Sequence, residues 1–74
     1  MRLKIIGNEY KIYYQNGKPV SGTLIEVKFP NIVVYFIDNK YCAFDIVTGR
    51  LIAVANSLEE LLRELENLED SREL

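Results

Sequence analysis

Six consecutive residues, Ile32-Val33-Val34-Tyr35-Phe36-Ile37, are apolar or aromatic without interruption. Successive residues of a strand point to opposite sides. Val33, Tyr35 and Ile37 therefore make one face, and Ile32, Val34 and Phe36 the other. A strand that is apolar on both faces must be covered on both sides. The run from Leu51 to Ala55 is nearly as apolar. Two central strands in one sheet thus call for two covers.

One cover is legible. Ser57 with Glu60 three residues later is a capping-box start for a helix. Leu58, Leu61, Leu62, Leu65 and Leu68 then recur at helical spacing and form one stripe. Glu59 and Glu60 sit at the positive end of the helix dipole. Past Leu68 the apolar pattern stops, so residues 1–68 read as one domain and 69–74 as a frayed acidic tail. Five leucines cover one sheet face. The other face, offered by Val33, Tyr35 and Ile37, is then the candidate interface for a second copy, giving a homodimer. A sheet that curls into a barrel would use up the same surface internally.

The remaining chain reads as short strands and tight turns. Leu3 and Ile5 share a face of the first strand, and Tyr10, Ile12 and Tyr14 share a face of the second, with Gly7-Asn8 as the turn between them. Asn16-Gly17 predicts a two-residue type I′ hairpin, which needs positive φ at both positions. Pro19 lacks a ladder donor, so the next strand starts after it and runs through residues 20–29 with a bend at Ser21-Gly22. Asp38-Asn39 marks another tight hairpin. In residues 45–49, Asp45 is placed to accept backbone amides two or three residues on, and Gly49 to close the turn. The fold expected is α+β: a small curved antiparallel meander of five to six strands, barrel-like if it closes, with one C-terminal amphipathic helix packed on it.

Function is approached by elimination. The chain has no histidine, which removes Ser-His and Cys-His nucleophile pairs and imidazole zinc ligands. Its four glycines stand singly at turns, so no phosphate-cradling loop is present. The single Cys42 excludes a disulfide framework, suits a reducing compartment and reads as a small buried hydrophobe. No apolar run approaches the ~20 residues that span a bilayer, and the basic start turns polar too early for a signal peptide. We expect a cytoplasmic, non-enzymatic protein with no catalytic residues, metal or cofactor, and no membrane contact.

Charge narrows the choice of partner. The net charge of −2 combines +3 through Asn56 with −5 from Ser57 onward. The leading expectation is a self-associating protein–protein interaction or regulatory module. The alternative is a nucleic-acid-binding module with a basic, tyrosine-bearing sheet face made by Lys11, Tyr13, Lys28, Tyr35, Lys40 and Tyr41, with Lys4 nearby. In that reading tyrosines stack bases while lysines hold phosphates.

Overall fold

A computed structural model of the chain describes residues 1–6, 9–14 and 16–72, and within these the side chains of residues 1–4, 10–14 and 16–68. Strands β1 (Arg2–Ile6), β2 (Glu9–Tyr13) and β3 (Pro19–Val20) form a first sheet in the order β1-β2-β3. Strands β4 (Thr23–Ile25), β5 (Ile32–Ile37), β6 (Lys40–Asp45) and β7 (Leu51–Ala55) form a second, ordered β4-β5-β6-β7. All neighbours pair antiparallel. Helix α1 spans Leu58–Arg72, so the α+β class is as expected. The Gly7-Asn8 turn lies outside the described residues.

The expected single meander is split in two. Residues 20–29 do not form one strand: β3 begins at Pro19 itself, stops at Val20, and β4 resumes at Thr23. Proline is tolerated at the first position of a strand, where its missing donor breaks no ladder. At the bend, a Cβ on Gly22 would lie 2.7 Å from Ile37 Cγ1 and 3.3 Å from the Phe36 carbonyl oxygen. A larger residue would have to push the Ile37 side chain aside, so glycine suits the crossing from one sheet to the other. β1 also touches the turn between β6 and β7, through one isolated Arg2–Arg50 bridge and the Leu3 N–H donated to the Gly49 carbonyl at 2.8 Å.

Stacking the two sheets answers the question of the second cover. Leu3 and Ile12 from the first sheet bury Tyr35, Ile37, Cys42 and Phe44 of the second. On the opposite side, Leu61 and Leu65 of α1 bury Val34, Ala43 and Ala55, with Ile32, Leu58 and Leu62 packed around them. The result is three layers: sheet, sheet and helix. The face of Val33, Tyr35 and Ile37 is thus filled by Met1, Leu3, Ile12 and Val20 of the same chain, and Tyr35 and Ile37 retain only 8% and 2% exposure. This removes the reason for expecting a second copy there. β1, β2 and β3 are not part of the central sheet, as a single meander would require, but form the second layer that covers it.

Turn chemistry follows the local residues closely. Asp45 Oδ1 accepts from the Val47 and Thr48 amides at 2.8 and 3.4 Å, and Gly49 closes the turn at φ +74°. Asp38 and Asn39 both have positive φ, as a type I′ hairpin requires. At Asn16-Gly17 only the glycine is left-handed, and the Gly17 amide donates to the Tyr14 carbonyl, so this loop is longer than the two-residue turn expected. Ser57 Oγ accepts the Glu60 amide at 3.2 Å and caps α1. Among the described residues the return bond from the Glu60 carboxylate is not made.

A basic face on the first sheet

Residues directly opposite in an antiparallel pair share a face, so the register of β1 and β2 decides which side chains meet. Leu3 lies opposite Ile12, and both are buried between the sheets. Their neighbours must therefore point outward: Arg2 opposite Tyr13, and Lys4 opposite Lys11. Tyr13 is in turn opposite Pro19 of β3. The isolated bridge adds Arg50 beside Arg2 on the same side. Arg2, Lys4, Lys11 and Arg50 are all exposed, and Tyr13 is half-buried among them.

The electrostatics of this face are unfavourable as they stand. Like charges directly opposite one another destabilise a sheet, and here two such pairs adjoin, Lys4 with Lys11 and Arg2 with Arg50. The Lys4 ammonium lies 5.4 Å from the centroid of the Tyr13 ring, a cation–π contact that relieves part of the crowding. Among the described residues the only ion pair is Arg63–Glu59 at 3.7 Å, on the outer side of α1. The acidic residues Glu59, Glu60, Glu64 and Glu66 are exposed on that helix, at the far side of the three layers. The molecule is therefore polarised, basic at one outer layer and acidic at the other.

The expected nucleic-acid face is only partly assembled. Lys11 and Tyr13 meet as anticipated. Tyr35 is enclosed between the sheets, where burial, with a smaller contribution from Tyr10, raises its phenol above the ordinary value. Tyr41 lies half-buried on the helix side with its ring 4.9 Å from that of Phe36. Lys40 ends the β5–β6 hairpin, and Lys28 lines a shallow hollow with Leu62 and Glu66. Arg2 and Arg50 take the vacant places. Arg2 was legible from alternation with Leu3; Arg50 required knowing that residue 50 meets the first strand.

No family model, curated protein or solved structure matches this chain. The site therefore has to be judged on its own chemistry. Cys42 is enclosed, and burial, with the nearby Asp38 charge adding to it and Lys40 opposing, pushes its thiol upward, away from the thiolate that a nucleophile needs. Among the described residues no three of the Cys, Asp and Glu side chains converge as metal ligands. One hollow, about 190 Å³, lies between Phe29, Ile32, Ile52, Leu65 and Leu68, with Asp45 as its single carboxylate. No helix among the described residues is long and apolar enough to cross a membrane.

Proposed function

We propose that this chain is a non-enzymatic binding module whose working surface is the outer face of β1 and β2, and that its partner is nucleic acid. The observation that carries the reading is the set of four exposed cations arranged as two like-charged cross-strand pairs around Tyr13. Their mutual repulsion weakens the sheet when no anion is present. A phosphate backbone placed across them turns that repulsion into attraction and releases counterions. The homodimer through Val33, Tyr35 and Ile37 is set aside, since Tyr35 and Ile37 are already buried within the chain. The buried, unpaired Cys42 fits work in a reducing compartment such as the cytoplasm.

The test is a salt titration of oligonucleotide affinity. Four neutralised phosphates give a slope of log K against log salt of about −3 on a single strand, from roughly 0.7 for each phosphate. Lys4→Glu with Lys11→Glu should abolish measurable binding. Lys28→Glu with Lys40→Glu makes the same change in net charge away from the face and should leave affinity within about twofold, as expected of exposed, screened charges. Equal losses in the two double variants would show that only net charge matters, and the proposed surface would be wrong.

A further inference from the structure

We infer that the nucleic acid taken by this face is single-stranded, with one base stacked on Tyr13 beside Arg2 and Lys11. The inference rests on the nucleic-acid reading above and adds the form of the ligand. Tyr13 occupies the middle of the face, opposite Arg2 on one side and Pro19 on the other. Its ring and the exposed Pro19 ring lie on neighbouring strands and offer a short apolar shelf beside Arg2, Lys4 and Lys11. Aromatic side chains bind unpaired bases by stacking, and every base has a π-face to offer. In a duplex those faces are covered by neighbouring pairs, and reading its edges takes a helix or ribbon that enters a groove about 12 Å wide. The β1–β2 pair is a ribbon, but Leu3 and Ile12 fix its inner face on the second sheet, so the outer face offers a duplex phosphate contacts and an unstacked base also Tyr13.

Spacing favours the same ligand. Arg2 and Lys4 are two residues apart on β1, about 6.8 Å at the ~3.4 Å rise of an antiparallel strand. That is close to the distance between successive phosphates on an extended single strand. The Arg2–Arg50 and Lys4–Lys11 pairs can therefore hold adjoining phosphates while a base turns sideways onto Tyr13, which flanks Arg2 on β2. The Lys4 ammonium, now 5.4 Å from the ring centroid, gives up that place to the base. Its flexible four-carbon stem keeps the charge within reach of a phosphate.

Fluorescence anisotropy with a labelled 12-nucleotide oligo-dT and a 12-base-pair hairpin duplex, compared at each of several matched salt concentrations, tests this. Single strand should bind at least about tenfold more tightly, the effect of one stacked base. Tyr13→Leu should remove that preference and leave the salt slope unchanged, whereas Tyr13→Phe should keep it. Photo-cross-linking of the unaltered protein to 5-bromouracil-substituted oligonucleotide should place the adduct on Tyr13, a readout that no variant's folding can disturb. Equal affinity for strand and duplex, or an adduct on another tyrosine, overturns the inference while the nucleic-acid reading stands. Absence of binding to both ligands overturns the two together.

Discussion

Leu61→Ala should destabilise the domain by about 2–5 kcal/mol, the range for truncating a fully buried leucine whose site collapses only partly. Leu61 has no exposed surface, and it sits with Leu65 against Val34, Ala43 and Ala55. At ~0.05–0.15 kcal/mol per residue, a chain of this length has roughly 4–11 kcal/mol of stability in all. One methyl-rich side chain therefore carries a large share of it. The helix stripe is not uniform, however. Leu62 is half-buried, and Leu68 remains 43% exposed. Urea unfolding followed by helix ellipticity should rank the alanine variants with Leu61 and Leu65 most costly, Leu62 between and Leu68 least. A loss at Leu61 below about 0.5 kcal/mol, the scale of surface substitutions, would mean that α1 does not cover the sheet as described.

Gly49→Ala should cost at least about 2 kcal/mol, for two reasons that act together. At φ +74° a side chain meets its own backbone, which costs about 1–2 kcal/mol. In addition, the new Cβ would run into the carbonyl oxygen of Leu3, a backbone atom that cannot swing aside. Relief would require β1 to move off, breaking the 2.8 Å bond from the Leu3 amide to the Gly49 carbonyl. Gly17→Ala is the matched control. Its φ of +81° carries the same strain, but nothing lies within 4 Å of the added Cβ. That variant should lose only about 1–2 kcal/mol. Because Arg50 follows Gly49 and faces Arg2, the Gly49 variant should also lose oligonucleotide affinity at temperatures where it remains folded. Equal destabilisation at the two glycines would argue that the contact between β1 and the β6–β7 turn is unimportant.

Much of this architecture could be read from local chemistry. The capped helix, the Asp45 turn, the Asp38-Asn39 hairpin and the double-faced β5 each follow from a few adjacent residues whose preferences agree. The second layer was not legible, because it depends on a chain reversal at Ser21-Gly22 that sends residues 1–20 back over β5 and β6. Alternation places Leu3 and Ile12 inward but does not say on which sheet. The pairing of Lys4 with Lys11 depends on the register of β1 against β2, and the meeting of Arg2 with Arg50 on contacts 48 residues apart in sequence. Candidate site residues on single strands were therefore visible, while their grouping was not. Lys28, Tyr35, Lys40 and Tyr41 suit such a face by residue type alone, and the fold sends them to four different surroundings.

The central claim is that the outer face of β1 and β2 is where nucleic acid binds. Amide chemical-shift mapping of the ¹⁵N-labelled protein, titrated with a short unlabelled oligo-dT at low salt, tests it most directly. The account predicts shifts concentrated at Arg2, Leu3, Lys4, Lys11, Ile12, Tyr13 and Arg50, with the amides of α1 unmoved. Shifts centred instead on Phe29, Ile32, Leu65 and Leu68, or none at saturating oligonucleotide, would contradict it.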